Sequence, residues 1–248
     1  MRWHALTDAA RRMAHYLEDL LFPPLCLHCR EPVETSPVPG LCPTCLNRLK
    51  PVLPGSLQTY VLDRLLPCHL DALWAAFQFD EIMRDILHGI KYARMPDLGY
   101  RMGEFAAARL ADFGDWEKGE GVCIVPIPLH PRRVKEREYN QSHRIARGLF
   151  TAHPEWICPE VLVRERYTRS QTRLNRDERR LNVRNAFRVV QPHRVRGKTV
   201  VLVDDVITTG ATMNECARQL KLQGAARVVG VALASPLREE DNEDGKLS

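Results

Sequence analysis

From residue 70 onward the apolar positions follow two alternating habits. LDALWAAFQF (70–79), GVCIVPIP (121–128), KTVVLVDD (198–205) and ARVVGVALAS (226–235) are short, nearly unbroken apolar runs. Their length suits strands covered on both faces. Between them, apolar residues recur every three or four positions. DEIMRDILHGIKYAR (80–94) sets Ile82, Ile86, Leu87 and Ile90 on one inward stripe behind Asp80, a natural N-cap. GYRMGEFAAARLADF (99–113), NQSHRIARGLF (140–150) and ATMNECARQLKLQGA (211–225) also read as helices, while VLV (161–163) and AFRVV (186–190) are shorter strand candidates. Strands spaced by helices of this length predict an α/β fold: a mainly parallel sheet flanked by helices, with right-handed crossovers.

Ahead of this pattern, residues 1–24 predict an amphipathic helix with Leu6, Ala9, Ala10, Met13, Leu17 and Leu20 on one face, ending at the paired prolines of FPP. Charges of both signs interrupt that helix, so it suits a protein surface better than a membrane surface, and no targeting or spanning segment is visible. A cytoplasmic location is the expectation. Residues 25–56 hold a cysteine module and a PVLPGS linker, residues 57–236 the main α/β domain, and residues 237–248 an acidic tail expected to be disordered.

The cysteines fall into two groups. Cys26, Cys29, Cys42 and Cys45 form CLHC and CPTC, whereas Cys68, Cys123, Cys158 and Cys216 are scattered. Without a secretory signal, disulfides are the weaker account of the first four. Paired knuckles at this separation suit tetrahedral Zn²⁺ held by four thiolates in a closed structural site, which would replace the core that so small a module lacks. A chance arrangement or a lost site is the alternative. The scattered cysteines, Cys123 and Cys216 above all, suit small buried hydrophobes.

The formal charge of +5 is modest, but it is unevenly spread. HPRRVKEREYNQSHR (130–144) and RERYTRSQTRLNRDERRLNVR (164–184) are dense in arginine. Either they are solvated faces, or they use the bidentate geometry that suits arginine to phosphate. The second basic stretch has no clean period and reads as a loop with a brief helical piece.

The sharpest signal is VVLVDDVITTGATM (200–213), a strand ending in paired carboxylates and a hydroxyl-rich loop. In open α/β sheets, ligands gather beyond the carboxyl ends of strands. Asp204 and Asp205 suit the donors of a vicinal diol, provided the chain turns so that both reach one ligand. Thr208, Thr209, Gly210, Ala211 and Thr212 supply hydroxyls, a glycine and the free N–H groups of a helix start, a phosphate cradle. A ribose 5-phosphate satisfies both ends. Rival nucleotide motifs fail: GxGxxG is absent, and GKT at 197–199 opens a strand instead of following one.

That loop resembles the phosphoribosyl-pyrophosphate (PRPP) signature of type I phosphoribosyltransferases. Across nearly its whole length the chain is similar to the ComF/GntX family, through FPPLCLHC with LCPTC, VPIPLHPRRVKEREYNQS, RYTRSQTRLNRDERRLNVRNAF and VVLVDDVITTGATMNECARQLKLQGAARV in that order. The resemblance implies a phosphoribosyltransferase-like domain over 57–236 and PRPP bound with Mg²⁺. In it Asp204 and Asp205 would take the ribose hydroxyls, and the loop from Thr208 to Thr212 the 5-phosphate. It places pyrophosphate near Arg132, Arg133, Lys135 and Arg137. It makes 168–184 a closing segment, in which Gln171, Arg173, Arg179, Arg180 and Asn182 could meet ligand.

Two departures stand out. Relatives usually carry glycine where this chain has Glu138, and a carboxylate there would either turn away from pyrophosphate or help hold metal. Many relatives also have further CxxC pairs, of which only Cys68 remains, so a second metal is not expected. The family association with natural transformation implies two readings: transfer of phosphoribose to an unidentified acceptor, or single-stranded DNA binding beside the DNA-uptake machinery.

Overall fold

The computed structural model describes residues 23–33, 35–53, 55–110, 121–167 and 176–236. Residues 1–22 of the helix expected over 1–24, the end of the helix running to 113, residues 168–175 with Gln171 and Arg173, and the tail 237–248 lie outside them.

Four parallel strands form the central sheet: β1 (Ala72–Gln78), β2 (Val122–Pro126), β5 (Thr199–Val206) and β6 (Arg227–Ser235), in the order β1-β6-β5-β2. These are the four long apolar runs of the sequence. They are apolar throughout because both sheet faces are covered. On one face, the odd-numbered Val201, Val203, Val229 and Val231 pack with α3 (Glu81–Tyr92), α4 (Pro96–Leu110) and α6 (Gln141–Leu149). On the other, Val200, Leu202, Val228 and Ala232 pack with α2 (Ser56–Tyr60) and α8 (Ala211–Leu222). A separate antiparallel ribbon of β3 (Leu162–Arg164) and β4 (Phe187–Val189) joins this second core, and α7 (Arg176–Val183) lies between its two strands in sequence.

Helix α3 starts where expected, with Asp80 Oδ1 accepting the Met83 N–H at 2.9 Å. Its stripe of Ile82, Ile86, Leu87 and Ile90 is buried. Helices α4 and α6 touch backbone to backbone. A methyl group on Gly148 would overlap the Tyr100 carbonyl, and one on Gly103 would overlap the Ile145 carbonyl. This contact carries the amino end of α6 to the rim of the sheet.

The cysteine module does not stand apart. Cys26, Val38, Leu41, Cys45, Leu46 and Leu49 belong to the same buried cluster as Phe77, Met83 and Ile90. Its α1 (Pro43–Asn47) begins at Cys42. Leu27 of the first knuckle lies against Gly89 of α3, and His28 Nδ1 sits 2.9 Å from Asp85 Oδ2 on the same helix. Among the described residues, no helix is long and apolar enough to cross a membrane.

Three short helices were not foreseen: α1, α2 and one that borders the site. The basic stretch after β2 forms a two-turn helix, α5 (Pro131–Arg137). Its start is locally encoded: His130 Nδ1 accepts the Arg132 N–H at 3.2 Å, and Pro131 takes the first helical position.

Candidate functional site

Strand β5 outruns its neighbour. The last residue of β2, Pro126, is opposite Val203, so Asp204, Asp205 and Val206 extend beyond β2 while still pairing with β6. The turn expected between the two carboxylates is not needed. The chain remains a strand to Val206, and both aspartates line one cleft because β2 has ended beside them. Two different helices hold them. Ser142 Oγ, at the start of α6, is 2.9 Å from Asp204 Oδ1, and Lys91 Nζ, at the end of α3, is 2.6 Å from Asp205 Oδ2.

The YNQS stretch supplies the local geometry. Asn140 caps α6 through the Ser142 N–H at 2.9 Å and donates from Nδ2 to the Ile127 carbonyl at 3.0 Å, tying the helix start to the end of β2. Tyr139 Oη donates to the Ile90 carbonyl, fixing the same turn to α3.

Beyond Val206, the Ile207 N–H bonds the Ala234 carbonyl at 2.9 Å, and the chain then leaves the sheet as Thr208, Thr209 and Gly210 before α8. Gly210 sits at φ +72°, and a Cβ there would crowd Val61 and Leu65. Glycine is therefore required twice, by backbone conformation and by space. Thr209 Oγ1 accepts the Ala211 N–H at 3.4 Å. The loop and helix start form one end of a cleft of about 360 Å³, and the paired aspartates form its middle.

The electrostatics of this cleft are unbalanced. Lys91, Arg133, Arg137, Arg164 and Arg179 line it against Asp204 and Asp205. Burial and the charge of Asp205 push the Asp204 carboxyl up to about 7, against opposing hydrogen bonds from the Asp205 N–H and Ser142 and the charge of Lys91. Burial alone would lower the Lys91 ammonium, but Asp205 outweighs it and raises it. Near neutral pH the Asp204 carboxyl is therefore partly protonated, beside the Lys91–Asp205 ion pair. Such a site gains from a ligand or cation that lets both carboxylates ionise.

Of the residues singled out from sequence, Asp204, Asp205, Thr208, Thr209, Gly210, Ala211, Thr212, Arg133, Arg137 and Arg179 meet around this cleft. Arg179 Nη1 donates to Thr208 Oγ1 at 2.8 Å, closing α7 onto the loop. Arg132 and Lys135 are not among the lining residues. Arg132 lies over the Tyr167 ring, 5.2 Å from its centre, and pairs with Glu136 at 3.5 Å. Arg180 faces a different groove behind the loop. Glu138 turns away from the cleft. It occupies the left-handed position that ends α5, at φ +69°, and pairs with Arg94 at 2.9 Å. That backbone conformation favours glycine, which accounts for the residue usual in relatives.

Lys91 and Ser142 escaped the sequence reading. A signal for Lys91 existed: it continues the i, i+4 row of Met83 and Leu87, putting an ammonium where the buried stripe calls for an apolar side chain.

The Sγ atoms of Cys26, Cys29, Cys42 and Cys45 all lie within 4.8 Å of one another, with Cys29 and Cys42 at 3.6 Å. A tetrahedral ion with bonds of about 2.3 Å calls for sulfurs roughly 3.8 Å apart. Backbone N–H groups already point at two of them, Cys42 N at Cys26 Sγ (3.5 Å) and Cys45 N at Cys42 Sγ (3.4 Å). Burial works to raise the Cys26 thiol, yet the N–H groups of Cys42, Cys29 and His28 bring it down to about 6. Cys45 goes the other way, driven well up by burial and by the neighbouring sulfurs. The four residues fit a structural zinc site in donor type, spacing and outer hydrogen bonding. The scattered Cys123 and Cys216 are buried as expected, and Cys68 is exposed.

The sequence model described as "Phosphoribosyl transferase domain" matches residues 159–247, which contain β5, the loop and α8. The "DNA utilization protein YhgH" of Salmonella typhimurium is 30% identical over 227 residues, covering 84% of this chain and 96% of that protein. "Competence protein F" of Haemophilus influenzae is 34% identical over 111 residues, 43% of this chain and 47% of that protein. The chain belongs to the ComF family. A more distant ComF relative, "Competence protein ComFC" of Bacillus subtilis, is 26% identical over 157 residues, covering 62% of this chain and 60% of that protein. Among solved structures, a phosphoribosylpyrophosphate synthetase from Mycobacterium smegmatis aligns over 57% of this chain and 35% of its own, at 16% identity and a TM-score of 0.33, a likeness too faint to bear on the fold. This ComF chain therefore joins a phosphoribosyltransferase-type α/β domain to a four-cysteine cluster.

Proposed function

We propose that this chain binds PRPP, or a related ribose 5-phosphate compound, with Mg²⁺ in the cleft at the end of β5, and that it acts in natural competence in the cytoplasm. The observation that carries the reading is the meeting of two carboxylates and a glycine-kinked threonine loop in one cleft, rimmed by Arg133, Arg137 and Arg179. Asp204 and Asp205 accept the ribose hydroxyls. The loop N–H groups and the hydroxyls of Thr208, Thr209 and Thr212 take the 5-phosphate, with Arg179 closing over Thr208. Arg133 and Arg137 neutralise the pyrophosphate end. The hard oxygen donors of the carboxylates and ligand suit Mg²⁺, which supplies further neutralisation of the leaving group. Closure of the basic rim excludes water from the activated sugar.

Supported by the same positions, transfer of phosphoribose to an acceptor would need little covalent chemistry from the protein. The carboxylates would stabilise positive charge developing on the sugar and the arginines would stabilise the departing anion. Titration calorimetry with Mg²⁺·PRPP tests the binding step. Asp205→Asn should weaken affinity by at least about tenfold, and unchanged affinity would remove Asp205 from the site.

A second reading, single-stranded DNA binding without turnover, is favoured by the exposed rings on the cleft rim. Tyr167 lies beneath Arg132 and Arg133, and Tyr92 beneath Arg137, pairing stacking faces with cations. Steeply salt-dependent binding of oligothymidylate, lost on neutralising these arginines, would support it. Affinity no greater than that of an unrelated basic protein would end it. We further propose that Cys26, Cys29, Cys42 and Cys45 hold a structural zinc ion.

A further inference from the structure

Behind the threonine loop lies a second groove of about 500 Å³, sharing only Thr209 and Ala211 with the cleft. The segment 64–69 forms one wall, α7 the other, and the first turns of α8 the floor. The floor is locked. Asn214 accepts the His69 N–H at 2.7 Å and donates to the Pro67 carbonyl at 2.9 Å, and Glu215 is taken up by Arg218 and the Asn185 N–H.

The walls are not spent in this way. Arg180, in the last turn of α7, and Arg184, just past its end, face the groove with Arg64. Among the described residues, neither Arg180 nor Arg184 has a carboxylate at ion-pair distance. Like charges this close repel each other, and an anion between them would relieve that repulsion. Beside them the groove presents two large apolar side chains to water, Leu66 (74% exposed) and Leu181 (65% exposed), together with Leu65 and Pro67. Two forked cations beside an apolar wall match a ligand carrying a phosphate and a flat apolar portion.

We propose that this groove is a second, separate binding site for a small phosphate-bearing molecule with an apolar or aromatic portion, of which a nucleoside monophosphate is the simplest example. It is coupled to the cleft through α7, a coupling that rests on the PRPP reading above. The coupling element is short and direct. Arg179 reaches Thr208 in the cleft, and the next residue, Arg180, lines the groove. A ligand drawing in Arg180 and Arg184 sets the same turn of helix that closes on the loop. Linkage then requires each ligand to change the affinity of the other by one common factor.

The test is calorimetric titration of the full chain with adenosine 5′-monophosphate, with and without Mg²⁺·PRPP, on the wild type, Arg180→Ala/Arg184→Ala, and Asp204→Asn/Asp205→Asn. Both arginines are exposed, so the first variant should fold, as a melting curve will check. Loss of charge-assisted contacts should weaken monophosphate binding by at least about tenfold in the arginine variant. It should leave Mg²⁺·PRPP affinity, measured alone, within about twofold. Loss of the monophosphate only in the aspartate variant would put it in the cleft and overturn the proposal, as would no binding at all. If a short oligothymidylate, and not the monophosphate, depends on the arginine pair, the groove belongs to a strand and the proposal falls. Monophosphate binding that needs the arginines in a chain that ignores PRPP would keep the groove and end the cleft reading instead.

Discussion

Replacing Lys91 by methionine isolates the ion pair on which the cleft is built. Methionine fills the volume of the lysine stem, so the change removes charge more than packing. The pair is close (2.6 Å), with Asp205 8% exposed and Lys91 24% exposed. At an effective dielectric constant of about 20 its gross attraction is roughly 6 kcal/mol, most of it offset by desolvation. What the variant suffers is the cost of leaving Asp205 buried, unpartnered and next to Asp204. Breaking buried pairs typically costs about 3–5 kcal/mol, and the partial exposure of Lys91 favours about 3. Protonation sets a ceiling. An ordinary carboxyl can be neutralised at pH 7 for about 4 kcal/mol and at pH 5 for about 1.5. The loss should therefore shrink by about 1.4 kcal/mol per unit of falling pH once the ceiling governs. Urea denaturation of wild type, Lys91→Met, Asp205→Asn and the double variant at both pH values measures this. In the Asp205→Asn background the lysine substitution should cost less than about 1 kcal/mol. A cost below about 0.5 kcal/mol at pH 7 in the single variant, or the same cost in both backgrounds, would refute the reasoning.

Other outcomes can be checked with equal economy. Because the folded Asp204 carboxyl is raised to about 7 from 3.8, the free protein binds an extra proton between these values, so this group makes stability fall as pH rises through that window. A ligand that needs both carboxylates ionised should bind more tightly with rising pH up to about 7 and then level off. It should release protons on binding, which titrations in buffers of different ionisation heat detect. Glu138→Gly should stabilise the chain by about 0.5–1 kcal/mol, relief of a left-handed conformation outweighing an exposed ion pair and the greater freedom of the unfolded chain; destabilisation in urea would contradict this. Protein purified without chelator should carry about one zinc per chain by elemental analysis, and chelation should lower the melting temperature. Less than about half an equivalent of zinc would argue against the four-thiolate site.

Much of this was legible because it is local. Asp80 as a cap, the stripe of α3 and the four doubly covered strands are written in short-range pattern. The DD and TTGAT stretch could be read because a strand end, a glycine and a helix start follow each other directly. What escaped depends on distant partners or on short elements. Helix α5 is brief and densely charged, so it has no apolar stripe to announce it. Lys91 takes its meaning from Asp205, more than a hundred residues away, and Ser142 from Asp204. Arg132 and Arg133 are adjacent and both lie over Tyr167, yet Arg133 lines the cleft and Arg132 does not. Only the helix that carries them decides which faces inward.

Helix α3 meets the cysteine module and the cleft at two points of a single rod. Leu27 and His28 of the first knuckle rest on Gly89 and Asp85, and a few residues further along the same helix ends with Lys91 against Asp205. Any shift of the knuckle is passed by a stiff lever of less than two turns to the carboxylates. Damage to the cysteines should then surface as altered ligand affinity before the chain unfolds.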